Sequence, residues 1–503
     1  MRLALVFNPF QYKIHEENIR IVQKYFGLFP PLSLAWVAAI AEKAGHKVLL
    51  VDARTLGLSK EEVADILAVY KPDVLGFMMT TYMFQDTLDW IRFLKAKFPV
   101  PVVVGGYNLR VYPKETLAHP EIDFGVVEQA YHTLPALLSE LSQREPDFER
   151  VPGLVFRKNG NIVLTPHPQA IDFNLYPNPA RHLLPNELYA EFTAERRNFT
   201  VMVTSLGCPY KCSFCEAGGT DYNPRSPQTV IQEIEECYCR YDVRDIDFFD
   251  YNFTADRERV LEICRSICDK GFDISWACRS RVDTVDRELL KAMREAGCSR
   301  IYFGIESGSQ ETLKVIRKGI STIQVRSILD ICRELGIRTL GFFLIGAPGD
   351  TRKTVGVTIR FAKSLPLDYA QFSKTLAKPL TPLWRNLVTV SGADYWQGWV
   401  LGKEKDRDLP RPWTVLSNDE IDALAKRAYM SFYIRPGYLV RQIMRVKSFG
   451  ELKRKGFACL SMIFRQESVS RVDRNFSAFN ENPLPLVEAA RARLRAMARE
   501  GEG

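Results

Sequence analysis

From Val201 onward the chain repeats one pattern six times: a short apolar run followed by an amphipathic stretch, at a period of about thirty residues. The runs are Val201–Ser205, Asp245–Phe249, Ile274–Ala277, Arg300–Gly304, Thr339–Ile345 and Asp368–Phe372. Helix starts between them are marked by Ser226-Pro227, Asp286, Ser309, Ser321-x-x-Gln324 and Asp350. Strands separated by helices pair in parallel, because each helix returns the chain to the same edge of the sheet. A closed eight-unit barrel needs roughly 250 residues. This stretch is shorter, so the spacing predicts a partial (β/α)6 barrel over residues 200–385.

A second alternation occupies residues 1–150. Its apolar runs are Leu3–Phe7, Lys47–Val51, Val74–Met78, Val102–Val104 and Phe124–Val127, with a capping box at Ser59-x-x-Glu62. This predicts an open, doubly wound, Rossmann-like parallel sheet, a class that binds ligands beyond the carboxyl ends of its strands. Asn8-Pro9-Phe10, Thr80-Thr81 and Gly105-Gly106-Tyr107 fall at those ends. Residues 151–199 are rich in proline and read as a linker. After about Arg385 the alternation stops, and residues 386–503 read as a basic, mainly helical region opened by Ser417-x-x-Glu420. The fold class is therefore α/β, with two parallel-sheet domains and a helical tail.

Chemistry concentrates just after the first barrel run, where a parallel barrel places its catalytic groups. There Cys208-x3-Cys212-x2-Cys215 brings three thiols into one loop, with Phe214 before the last, and no fourth cysteine stands near in sequence. A closed zinc site takes four ligands, and so does a closed iron–sulfur cubane. Three thiolates leave one iron of a [4Fe-4S] cluster open to a small ligand; a zinc knuckle is the plainer alternative. Later strand ends carry Asp250 and Asn252, then Arg279 and Arg281, then Glu306-Ser307, then Gly346-x-Pro348. Charge partners and close backbone approach at these positions suit a zwitterionic, adenine-bearing ligand. All six histidines precede the cysteine loop, which excludes imidazole acid–base catalysis from barrel residues. Cys264 and Cys268 share a face of one predicted helix, where packing competes with an auxiliary cluster.

The cysteine spacing resembles the radical S-adenosylmethionine (SAM) superfamily. Its pairing with a doubly wound amino-terminal domain resembles the cobalamin-binding-domain class, which includes cobalamin-dependent methylases and the anaerobic Mg-protoporphyrin monomethyl ester cyclase. Supporting landmarks are Pro30-Pro31-Leu32-Ser33-Leu34, Ala44-Gly45-His46, Asp52-Ala53, Gly105-Gly106 and Leu175-Tyr176-Pro177-Asn178-Pro179-Ala180-Arg181. The resemblance implies a [4Fe-4S] cluster on Cys208, Cys212 and Cys215. It implies SAM contacts at Phe214, Asp250, Asn252, Arg279, Arg281, Glu306, Ser307, Gly346 and Pro348. Cobalamin contacts would lie at Asn8, Pro9, Phe10, Pro31, Leu32, Thr80, Thr81, Gly105, Gly106, Tyr107 and Glu128. An Asp-x-His motif is missing after the first strand, so cobalamin is expected without a histidine on its lower face. The class usually carries Gly-Glu-Gly-Glu after the last strand; here the run is Val127-Glu128-Gln129-Ala130, and a domain kept as a substrate cap is the alternative. The implied activity is methylation of an unactivated carbon in a hydrophobic substrate: isoprenoid, hopanoid-like or tetrapyrrole. One SAM would methylate cobalamin and another would supply the radical, with electrons from a flavodoxin or ferredoxin. Radical ring formation or oxidation is the rival activity, and a non-catalytic cobalamin or cluster sensor the non-enzymatic one.

The opening Met1–Phe7 run is too short for a signal-peptide core, and no apolar stretch reaches membrane-spanning length. Eleven cysteines without such a signal fit a reducing, cytoplasmic setting. The net charge of +8 is uneven: Arg435–Arg474 holds ten Lys/Arg against three acids. Such a local patch does not suggest nucleic-acid binding. With Tyr438–Val446 and Phe457–Phe464 it reads either as a peripheral seat on the inner membrane face or as helices packed on the barrel.

Overall fold

The computed structural model describes residues 1–10, 27–196, 198–405, 409–444 and 484–500. All five amino-terminal strands form: Arg2–Phe7, Lys47–Asp52, Val74–Met78, Val102–Gly105 and Phe124–Val126. They pair in parallel in the order second, first, third, fourth, fifth. That is a doubly wound arrangement whose strand order reverses between the first and third strands, and the crevice beyond that reversal is where such sheets take ligands. The strands are continuous apolar runs because both faces are covered by helices: Val6, Val51, Leu75 and Val104 are all buried.

The proline-rich stretch is more than a linker. Leu154–Lys158 and Asn161–Leu164 form a hairpin that adds two antiparallel strands to the first sheet. Its second strand alternates weakly and carries only two half-buried apolar side chains, so it leaves little periodic signal. Further on, buried Arg181 is clamped by Glu233 at 2.7 Å, which ties the connector to the first barrel helix.

The barrel contains the six expected strands: Phe199–Met202, Asp245–Phe248, Ser275–Ser280, Cys298–Glu306, Arg338–Ile345 and Tyr369–Lys374. All are parallel and neighbour one another in chain order. Alternation sorts their side chains. Phe248, Trp276, Cys278, Phe303 and Phe343 face the helices and form the largest core. The inner face carries Asp245, Asp247, Arg279, Arg300 and Tyr302, so the lumen is ionic rather than oily. Arg300 donates to Asp245 at 2.5 Å, and Arg279 to Asp247 at 2.7 Å. The segment around Ala190–Glu191 enters this lumen, where Tyr302 Oη donates to Glu191 at 3.0 Å.

The helical region wraps both domains. Asn418–Tyr433, opened by the expected capping box at Ser417 and Glu420, packs on the last barrel strand; there Tyr429 Oη accepts from Phe372 N. Pro382–Ser391 and Tyr395–Val400 join the core of the first domain. Leu484–Glu500 returns to the same domain, where Arg491 donates to Leu56 O and Gly57 O. The basic tail, read either as a membrane seat or as helices packed on the barrel, lies largely outside the described residues. Among the described residues no helix is long and apolar enough to cross a membrane.

Candidate functional site

The first barrel strand ends at Met202, and Ser205–Cys208 then pairs antiparallel with Thr220–Pro224, framing the cysteine loop. Gly207 lets the frame close: its φ is +73°, and a Cβ there would lie 1.9 Å from the Asp221 carbonyl oxygen. The loop is tied down by Gly219 N, which donates to Tyr210 O at 2.8 Å, and by Ser213 N, which donates to Ile316 O at 3.1 Å. Cys208 and Cys212 are each 8% exposed and Cys215 is half-buried. None is oxidised to a disulfide. Burial pushes the Cys208 thiol up and the Cys215 thiol up to about 11, so positive charge must be supplied for them to act as thiolates.

The fold supplies part of that charge. Arg281 Nη1 lies 3.4 Å from Cys212 Sγ, and the guanidinium stacks 3.9 Å from the Tyr210 ring. Arg281 is fixed by two bonds to Asp283 and one, at 2.5 Å, to Lys318 O. Lys318 Nζ in turn bonds Glu306 at 2.8 Å; both are buried, and Glu306 holds a left-handed φ of +66° that a glutamate adopts only when its surroundings hold it. Asn252 Oδ1 accepts from Arg281 N at 3.3 Å, leaving its own buried amide nitrogen without a partner. Cysteines, Arg281, Lys318, Glu306 and Asn252 thus form one contiguous group.

Other expected SAM contacts are committed elsewhere. Asp250 accepts from Thr204 N, Thr204 Oγ1 and Ser205 Oγ at 2.6–2.7 Å, so it braces the root of the cysteine loop instead of facing a ligand. Ser307 Oγ pairs with Thr358 at 2.9 Å. Arg279 lies deeper, on Asp247 and 3.7 Å from the Phe249 ring. Gly346 is covered by Ile421, and its carbonyl accepts from Trp413. Pro348 is buried beside it, and Phe214 packs against the barrel core. Lys318 and Glu191 were not anticipated; nothing in Arg317-Lys318-Gly319 distinguishes a buried lysine from a surface one.

In the first domain, Asn8 at the end of the first strand is buried with its amide oxygen unpartnered. Beside it Pro9 and Phe10 follow, the latter 4.5 Å from the Arg54 guanidinium. Thr80 caps the third-strand turn by accepting from Met83 N. Thr81 is part of the floor, since its hydroxyl donates to Asn108 at 3.0 Å. Gly106, at φ +117°, brings the fourth-strand turn against Met79, where a Cβ would meet the carbonyl oxygen at 2.7 Å. A Cβ on Gly105 would meet nothing nearer than 3.9 Å. Pro31 and Leu32 open the helix Leu32–Lys43, and Ser33 reaches Met78 at the end of the third strand. Glu128 stands at the rim, 3.8 Å from Arg110 and 3.7 Å from His167. Strand order, the unpaired Asn8 amide oxygen and the open space over Gly105 fit a large planar ligand carrying amide donors.

The two strand-end surfaces meet. Tyr107 donates to Pro379 O at 3.1 Å, and its phenol is pushed up to about 12 by burial and by the nearby Glu216 and Cys215. Among the described residues no three His, Cys, Asp or Glu side chains converge as they would around one metal ion. Three thiols without a fourth protein donor among the described residues, with an unpaired Asn252 amide nitrogen beside them, fit an open [4Fe-4S] cluster and a small polar ligand. Two surface depressions of about 330 and 340 Å3 lie elsewhere, by His182 and Arg493 and by Ile323 and Phe361.

A doubly wound domain set over a six-stranded partial barrel with a three-cysteine loop defines the class: a cobalamin-domain radical SAM architecture. Residues 202–362 match the radical SAM superfamily and residues 20–138 the B12 binding domain. The chain is 33% identical over 455 residues to the uncharacterized methyltransferase PH0819 of Pyrococcus horikoshii, covering 89% of this chain and 96% of that one. It is 26% identical to the anaerobic magnesium-protoporphyrin IX monomethyl ester cyclase of Rubrivivax gelatinosus over 72% of this chain and 67% of that one. In fold it is similar to the radical SAM methyltransferase TsrM of Kitasatospora setae (TM-score 0.66, 18% identity, 100% of this chain and 97% of that one). The chain belongs to the cobalamin-binding-domain radical SAM family, whose cofactors are a [4Fe-4S] cluster, SAM and cobalamin.

Proposed function

We propose that this enzyme methylates an unactivated carbon of a substrate with a large apolar body. Cys208, Cys212 and Cys215 would hold the cluster, and Asn252 with the Lys318-braced Glu306 would orient SAM. Asn8, Gly105 and the turns around them would hold cobalamin. When bound, these cofactors supply a hydrogen-abstracting radical and a transferable methyl group. The observation that carries the reading is the apposition of the two surfaces at Tyr107, Pro379 and the cysteine loop. Hydrogen removal and methyl delivery must reach one carbon, so the two holding surfaces have to share a cleft. Aromatic walls suit an apolar body: Phe29 lies 5.2 Å from Phe249, and Tyr251 is 52% exposed at the end of the second barrel strand. Likeness to PH0819 and TsrM supports methyl transfer. Likeness to the cyclase supports ring formation as a second reading.

A substrate-independent assay separates the two. Reduced, fully loaded protein given SAM should release both S-adenosylhomocysteine and 5′-deoxyadenosine. Ring formation without methyl transfer gives 5′-deoxyadenosine alone, and that result would remove the methylation reading.

A further inference from the structure

The outer side of the cysteine loop carries exposed charge that the site itself does not use. Ser213 is bonded to Ile316 O, which places the turn after the helix Gln310–Val315 directly against the loop. Around this seam Lys211, Lys314 and Arg317 are exposed, and none has an ion-pair partner among the described residues. Many other exposed cations are paired, as Arg287, Arg333 and Arg352 are. Arg317 also holds a left-handed φ of +54°, a conformation costly for a residue with a side chain. Apolar surface adjoins the charge. Val315 is 47% exposed and Val415 is 80% exposed, and the two are linked through Gly349, which approaches Val315 and donates to Trp413 O.

We infer that Lys211, Lys314 and Arg317, with Val315 and Val415 beside them, form the docking surface for an acidic one-electron carrier protein that reduces the cluster. The inference rests on the cluster reading above. Transient redox encounters use small interfaces, below ~1,200 Å2, held by complementary charge around a modest apolar centre, and this patch has that composition. The step moves one electron in one direction: the reduced carrier is oxidised by one electron, and the oxidised cluster held by Cys208, Cys212 and Cys215 is reduced by it.

The test compares two reductants on the fully loaded enzyme, reading 5′-deoxyadenosine from SAM. One is a reduced flavodoxin, an acidic protein; the other is dithionite, which needs no docking. In Lys314→Glu/Arg317→Glu the flavodoxin-driven rate at low salt should fall roughly tenfold or more, because reversed rim charge acts on association. The wild-type rate should fall with salt and the variant rate should not, since charge is screened over ~10 Å at 0.1 M. The dithionite-driven rate should be unchanged, and Lys97→Glu on the far domain should behave as wild type. An unchanged flavodoxin rate in the double variant overturns the proposal, as does an equal loss with dithionite. If dithionite drives no SAM cleavage in wild type, the cluster reading itself is wrong and the docking surface falls with it.

Discussion

Replacing Gly207 by alanine should cost the protein its cluster while leaving the fold standing. Two penalties arise at this position. The φ of +73° is left-handed, which costs alanine ~1–2 kcal/mol relative to its preferred region. The added carbon would lie 1.9 Å from Asp221 O, against an ordinary carbon–oxygen contact of ~3.3 Å, so the two paired segments must part by about 1.4 Å. That opening loosens the bond from Cys208 N to Thr220 Oγ1, worth ~1 kcal/mol. The total, ~2–3 kcal/mol, corresponds to a drop of roughly 5–10 °C in Tm for a domain of this size. The displacement matters more than the energy, because metal sites tolerate only ~0.2 Å in ligand distance. Gly271→Ala is the matched control: its φ is +64°, but nothing stands within 4 Å of the added carbon. It should lose ~1 kcal/mol and keep its iron. The assay is iron and sulfide content after anaerobic reconstitution, with thermal melting of the same samples. A full cluster in Gly207→Ala would mean that this strand pair does not set the position of Cys208.

Three further outcomes follow from the geometry. Arg281→Gln should shift the cluster potential downward, because the guanidinium beside Cys212 favours the more negative, reduced state; a tenfold change in the reduced-to-oxidised ratio is ~59 mV, Arg281→Lys should recover part of it, and no shift by redox titration means the contact does not tune the cluster. Burial and the neighbouring Asp247 push the Glu191 carboxyl up to about 8, so the folded protein holds a proton there that the unfolded chain has released above its usual 4.5. Stability should therefore fall as pH rises from 4.5 through 8, and Glu191→Gln should flatten that slope in Tm measured against pH; an unaltered slope places the proton elsewhere. Cobalamin bound in the Co(II) form should show no nitrogen superhyperfine splitting by electron paramagnetic resonance, since His119 is already engaged with Val400 O and no Asp-x-His follows the first strand; clear splitting would identify a histidine ligand.

The parallel strands of both sheets were legible because a parallel βα unit writes its periodicity into contiguous residues. Val74–Met78 matches the apolar run without adjustment, and the other strands differ at their ends by three residues at most. The cysteine loop was legible for the same reason, its spacing being local. What sequence could not show depends on contacts between distant segments. The basic and acidic residues at strand ends look alike in sequence, yet Asp250 is consumed by Thr204 and Ser205, Arg281 by Cys212 and Asp283, and Arg279 by Asp247. Which partner wins is decided by which strands neighbour in the barrel. Glu191 lies in a proline-rich connector, where nothing local marks a carboxylate that will enter the lumen. Leu484–Glu500 lies more than 400 residues beyond the Leu56 carbonyl that Arg491 binds, a pairing no periodicity records.

Whether three thiolates hold a cluster with one iron open to SAM is decided by the electron paramagnetic resonance of the reduced, reconstituted protein with and without SAM. A reduced [4Fe-4S] signal that SAM reshapes is expected, together with loss of both signal and SAM cleavage when Cys208, Cys212 and Cys215 are all changed to alanine. A cluster signal that survives the triple substitution, or one that SAM leaves untouched in the wild type, would contradict it.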